Sequence, residues 1–267
     1  MKYPYGNSIF ITGASSGIGL AAAEAFAQAG YQVFAAARSC EDGARGNVTG
    51  IRMDVTDEAS VVRAKEIVAA QGGVGIILNC AGRGIVGAAE DALDENVRYL
   101  FEVNYFGVLR VNRLFMPMLR ERGCGLVLIV SSVAGQMPVP YHVHYCGTKY
   151  ALDCYAEALR MEARQFGVRV SLIQPGGTKT NISQSRLIAI PRESPYAQDC
   201  ATAELHFSNQ EQTGNAPENV ARAMLKLAQK RKPPVRVTIG ALYKSALLLR
   251  RLSPARAFEF VLQRMFD

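Results

Sequence analysis

Tyr145 and Lys149 stand four residues apart in Tyr145-Cys146-Gly147-Thr148-Lys149, a spacing that puts a phenol and an ammonium on one face of a helix. A cation beside a tyrosine favours the phenolate, so the pair predicts a phenol lowered from its ordinary pKa of about 10 toward proton transfer near neutrality. Such a spacing also arises by chance, and alone it reads as structural. Ser132 follows a strand-like run and is placed to hold a carbonyl oxygen; its ordinary alternative is a turn or helix cap.

A second constellation is Thr12-Gly13-Ala14-Ser15-Ser16-Gly17-Ile18-Gly19, between a short apolar run and an alanine-rich segment. Glycines let backbone approach a diphosphate, and a helix N-terminus offers it free N–H groups and partial positive charge. The spacing is G-x-x-x-G-x-G rather than G-x-G-x-x-G, so the turn by itself reads equally as a helix-capping loop. Ala35-Ala36-Ala37-Arg38-Ser39 then lacks the acid that would accept a ribose 2′-hydroxyl, and Arg38 offers a donor fork suited to a phosphate. This favours NADP(H) over NAD(H); the alternative is a solvated loop arginine.

Residues so far apart in sequence meet only if strands and helices alternate. Strand patterns cover 8–11, 32–36, 50–53, 75–78, 125–130, 169–173 and 235–239. Helical patterns cover 18–29, 58–70, 96–120, 145–166 and 216–229, with a helical tail from 243 to 267. The expectation is an α/β fold, a single-domain Rossmann-like doubly wound parallel sheet with helices on both faces, occupying 1–267. Residues 181–215 read as a polar, irregular substrate lid marked by Pro191 and Pro195. Met137, Pro138, Val139, Pro140 and Tyr141 supply an apolar edge beside Tyr145, which suits a lipophilic alcohol or ketone better than a sugar.

With 267 residues, 49% of them hydrophobic, the composition is that of an ordinary globular chain. The net charge of +7 comes from scattered Lys and Arg, so no nucleic-acid partner is expected. Six cysteines without C-x-x-C pairs read as free thiols of a reducing compartment, and Cys146, one residue from Tyr145, faces elsewhere on the helix. No signal peptide and no run of roughly 20 apolar residues is found, so a cytoplasmic protein is expected. No metal is called for. His142 and His144 flank Tyr145 closely enough to touch substrate, with a plain loop role the more ordinary reading, and His206 is unassigned. The tail alternates apolar residues with Lys244, Arg250, Arg251, Arg256 and Arg264; such a stripe packs on its own domain or a partner subunit more often than it docks on a membrane surface.

Taken in order, these motifs resemble the short-chain dehydrogenase/reductase family from Ser8 to about Ile182: the turn at 12–19, Asp54-Val55, Asn79-Cys80-Ala81-Gly82, Asn104, Ser132, Tyr145 with Lys149, and Pro175-Gly176 followed by Thr180. Cys80, in the Asn-Ala-Gly slot, departs from the pattern. The C-terminal third is similar to the branch of hydroxysteroid and retinol dehydrogenases. The resemblance implies that Tyr145 is the general acid/base, Ser132 steadies the substrate oxygen, Lys149 binds the nicotinamide ribose and tunes Tyr145, and Asn104 holds a relay water. It further implies a diphosphate at Gly13, Ser15, Ser16, Gly17, Ile18 and Gly19, the 2′-phosphate of NADPH at Arg38 and Ser39, the adenosine beside Asp54, Val55 and Asn79, and further cofactor contacts at Ala81 and Gly82. Thr180 and the backbone near Ile182 would reach the nicotinamide, and Pro175, Gly176 and Thr178 would also bind the cofactor. A homodimer or homotetramer assembled through 96–120 and 145–166 is implied as well. Two alternatives keep the fold without turnover: an NADP(H)-binding redox sensor and an interaction scaffold.

Overall fold

The computed structural model describes residues 3–180 and 186–266. In chain order they form β1 (Ser8–Thr12), α1 (Gly17–Gln28), β2 (Gln32–Ala37), β3 (Gly43–Arg45), β4 (Val48–Arg52), α2 (Glu58–Ala70), β5 (Ile76–Asn79), β6 (Ile85–Val86), α3 (Asp94–Phe101) and α4 (Gly107–Glu121). There follow β7 (Gly125–Val130), α5 (Val143–Ala163), β8 (Val168–Pro175), β9 (Leu187–Ile188), α6 (Ala197–Thr213), α7 (Pro217–Ala228), β10 (Arg236–Ile239), α8 (Ala241–Leu252) and α9 (Ala255–Phe266).

The strands of the main sheet run β10-β8-β7-β5-β1-β2-β4-β3, parallel except where β3 folds back on β4. Strands covered on both faces must be apolar throughout, and the IFI of β1 and the LVLI of β7 are buried at every position. One face packs on α2, α4 and α5, where Phe10 of β1 stacks on Phe115 of α4 with ring centroids 4.2 Å apart. The other face packs on α1 and α7, whose Ala21, Ala22 and Ala221 let the helices lie close to the sheet. Both cores share the one sheet, and the doubly wound parallel architecture is as the alternation predicts.

Three differences from the expectation bear on the site. The stretch read as irregular contains the 17-residue helix α6, whose buried residues are the small Cys200 and Ala203, so it carries almost no apolar stripe to detect. Ile85–Val86 pairs with Leu187–Ile188 in a two-stranded sheet too short for a strand pattern. The helix expected over 96–120 is interrupted by a π-helical turn at Glu102–Phe106, a local widening often found at functional sites, and Asn104 sits in it. The tail is two helices broken at Ser253-Pro254, and none of the residues in Ala241–Leu252 is buried. Residues 181–185 of the expected lid, and with them Ile182, lie outside the described residues. Among the described residues no helix is long and apolar enough to cross a membrane.

Candidate active site

Tyr145 lies in the first turn of α5, and the backbone before it explains its position. Tyr141 has φ 61°, unusual for a residue with a Cβ, and is held there by Gly87 N–H donating to its carbonyl at 2.9 Å and by its hydroxyl on Asp199 at 3.2 Å. The sequence reading takes Tyr141 for an apolar wall residue; its structural part is to turn the chain so that α5 begins at the sheet's carboxyl edge. Ser132 caps the short helical turn Val133–Gly135, accepting Ala134 N–H at 3.2 Å, which leaves its own proton to donate toward the Tyr145 phenol.

The expectation that Lys149 lowers the Tyr145 pKa is not met. Desolvation pushes the phenol up to about 12, opposed chiefly by the hydrogen bond from Ser132. Lys149 is itself 5% exposed and donates to the Val130 carbonyl at 3.0 Å, with its ammonium 5.5 Å from the Tyr145 ring centroid; burial holds it down to about 8. Burial disfavours the charged form of both groups and is the largest influence on each.

Lys149 therefore carries a stability cost with a defined pH window. Its folded pKa lies below the open-chain value of 10.5, so between about 8 and 10.5 the unfolded chain holds a proton that the folded one has released. Stability should rise with pH across that window, and the full cost should apply below it. Lys149→Met is expected to raise stability at pH 7 by roughly 2 kcal/mol, net of the lost hydrogen bond, and to flatten the slope between pH 8 and 10.5. Melting curves of both proteins against pH check this; a lower melting temperature at pH 7 with the slope retained would refute it.

A cavity of about 1020 Å³ runs from the glycine turn to Tyr145. Its wall includes Gly13, Ser15, Ser16, Gly17, Ile18, Gly19, Arg38, Ser39, Asp54, Val55, Ala81, Gly82, Ser132, Tyr145, Lys149, Pro175, Gly176, Thr178 and Thr180, so nearly all the residues singled out in the sequence meet on one surface. Asn79 and Asn104 do not line it. Asn79 lies beneath, donating to Asn112 Oδ1 at 2.9 Å. Asn104 spends both ends of its amide on the loop after β5, accepting Arg83 N–H at 2.7 Å and donating to the Arg83 carbonyl at 2.9 Å. Its side chain thus shapes the Gly82–Arg83 wall, and its Nδ2 also donates to Thr148 Oγ1 at 3.1 Å.

The glycine turn fits a dinucleotide. A Cβ on Gly13, where φ is 68°, would sit 2.8 Å from the Ala81 backbone. Ser16 caps α1 without a side-chain hydrogen bond, so the N–H groups of the first turn remain for an anion. Thr12, unassigned as an individual residue in the sequence reading, fixes the opposite wall: its Oγ1 accepts the N–H groups of Cys80 and Ala81, each at 3.1 Å. At the rim Arg38 is exposed, and its Nη1 lies 3.4 Å from the hydroxyl of Tyr99.

From residue 7 to 189 the chain matches the family profile described as short chain dehydrogenase. The chain belongs to the short-chain dehydrogenase family. It is similar to the 3-ketodihydrosphingosine reductase of Bacteroides thetaiotaomicron, with 33% identity over 88% of each chain. Among solved structures, a short-chain dehydrogenase from Streptomyces avermitilis shares 31% identity over 97% of each chain, with a TM-score of 0.82. One from Burkholderia phymatum, in complex with NAD, shares 25% identity over 92% of this chain and 93% of its own, with a TM-score of 0.81. The protein is thus an oxidoreductase of the short-chain dehydrogenase family that uses a nicotinamide cofactor.

Several wall residues carry no short-chain dehydrogenase motif and escape the sequence reading. Arg186 bridges Glu204, at 2.6 Å, and Glu211 of α6, pinning that helix over the cavity. His142, for which the sequence offers a loop role or contact with substrate, is a buried wall residue; its ring packs on Phe207 with centroids 3.9 Å apart, and burial with Arg186 nearby holds it neutral, down to about 3. Behind Lys149, Asp153 accepts from Ser131 Oγ at 2.5 Å and Gln174 Nε2 at 2.6 Å, tying α5 to β7 and β8. Its position four residues after Lys149 was the available signal.

Proposed function

We propose that the protein is an NADP(H)-dependent oxidoreductase acting on a lipophilic secondary alcohol or ketone, of the size of a hydroxysteroid, retinoid or long-chain lipid. The observation that carries the reading is the convergence of Tyr145, Ser132 and Lys149 on the wall of a cavity that begins at the glycine turn. When bound, the nicotinamide supplies or accepts the hydride. Ser132 and Tyr145 hold the substrate oxygen between two O–H donors, and Tyr145 delivers its proton to that oxygen as the carbonyl is reduced. A phenol pushed up to about 12 is protonated at neutral pH, which suits the reductive direction. Lys149 orients the nicotinamide ribose, and Arg38 with Ser39 meets the 2′-phosphate.

The far wall supports a lipophilic substrate, being built from Met137, Val139, Phe207, Leu242, Leu249 and Phe258. So does the similarity to an enzyme named for a sphingosine-type ketone. The exposed Phe106 of the π turn, Tyr150 and Met161 of α5, and Phe166 just beyond it support assembly as a dimer or tetramer through the α4 and α5 region.

The test is oxidation of NADPH or NADH, followed at the nicotinamide absorbance band, with ketosteroids, retinal, long-chain ketones and small ketones. Turnover with NADPH that favours the large apolar ketones is expected. Tight NADPH binding with no turnover on any carbonyl or alcohol would replace this reading by that of a redox sensor.

A further inference from the structure

Helices Ala241–Leu252 and Ala255–Phe266 expose a group of large apolar side chains: Leu242 (75% exposed), Leu248, Leu249, Leu252 (74%), Phe260 and Val261. From Ala241 to Arg264 there are five basic residues, Lys244, Arg250, Arg251, Arg256 and Arg264, against the single acid Glu259. The pair is a fixed structure. Gly177 N–H donates to the Tyr243 hydroxyl at 2.9 Å, anchoring the first helix, and the Arg250 guanidinium lies 5.2 Å from the Phe258 ring centroid, joining the second to it. Leu242, Leu249 and Val261 also line the cavity, so this exposed apolar face borders it.

We propose that this face docks on an anionic lipid bilayer, the leucines and Phe260 entering the headgroup boundary and the arginines meeting lipid phosphates, with the cavity wall at Leu242, Leu249 and Val261 on the membrane side. A helix pair with leucines beside arginines finds both apolar depth and negative charge there. A second copy of the chain fits less well, because a symmetric contact would bring the same cations together with one acid per copy to offset them. The docking requires nothing of the chemistry at Tyr145, and it is read without substrate or turnover.

The experiment is co-sedimentation of the full chain with vesicles of phosphatidylcholine alone or of equal parts phosphatidylcholine and phosphatidylglycerol, at low and raised salt. Sedimentation with the anionic vesicles only, weakened by salt, is expected. Arg251→Gln with Arg256→Gln should lower the partition roughly 30-fold, and Leu248→Glu with Leu252→Glu should abolish it. All four side chains are exposed and outside the cavity wall, and melting curves verify that the variants fold; if the leucine pair melts early, the arginine pair carries the test. No sedimentation with anionic vesicles, equal binding to neutral ones, or unchanged binding in a folded variant overturns the proposal. So does a stable dimer, seen by light scattering, that the leucine substitutions dissolve, since the face would then belong to a second copy.

Discussion

Tyr145→Phe is expected to lower turnover by on the order of 1000-fold while leaving NADPH affinity within a few-fold of the parent protein. The substitution removes one oxygen whose hydrogen-bond partner in the site is Ser132 and leaves the ring in place on α5. The fold loses little, because Tyr141 and Cys146 N–H, the latter bonded to the His142 carbonyl at 2.9 Å, hold the start of the helix independently. Under the proposed mechanism, what disappears is the proton delivered to the substrate oxygen. Fluorescence titration of NADPH alongside the absorbance assay separates the two effects. If turnover survives, another group transfers the proton; if turnover and cofactor binding fall together, Tyr145 supports the site rather than acting in it.

Arg38→Asp is expected to invert the cofactor preference. Arg38 follows the all-alanine end of β2, projects at the cavity rim, and has Tyr99 as its partner, so its donor fork is available to a phosphate. A charge-assisted hydrogen bond lost to an introduced carboxylate predicts roughly a 10- to 100-fold fall in kcat/KM with NADPH. The carboxylate accepts hydrogen bonds from a 2′-hydroxyl, so NADH should improve. Steady-state kinetics with the two cofactors and one ketone measures both changes. An unchanged preference for NADPH would assign the phosphate to a different cation.

The sequence exposes the parts of the site where chemistry demands particular residue types at a particular spacing. Gly13 to Gly19, Ser132 and Tyr145 with Lys149 are legible for that reason, Pro175 to Thr180 only through the family resemblance, and the buried strands from their uninterrupted apolar runs. Side chains that work through distant partners are hidden. Thr12 matters because Cys80 and Ala81 arrive above it from β5, and Arg186 matters because α6 brings Glu204 and Glu211 to it. Helix α6 escapes because its buried face consists of small residues. The pKa of Tyr145 is misjudged from sequence for a related reason: spacing reveals the neighbouring cation and conceals how completely both groups lose water. Similarly, Asn104 is visible as a polar residue in the right place, but its commitment to the Arg83 backbone is a tertiary fact.

The position of β1 at the middle of the main sheet, between β2 and β5, also constrains the order in which the chain can assemble. As synthesis proceeds, β1, β2 and β4 can pair once residue 52 has emerged, and they carry the glycine turn and Arg38 with them. The other edge of β1, with Ile9, Phe10 and Ile11, must then wait for Ile76, Ile77 and Leu78. Until those residues emerge, an apolar strand has an unpaired edge, the kind of surface on which nascent chains aggregate. Half of the proposed dinucleotide cradle can therefore exist before its opposite wall at Ala81, and well before Ser132 and Tyr145. Ser132 and Tyr145 emerge later still, and β8 with the helix Pro217–Ala228, which complete the second core, emerge after both.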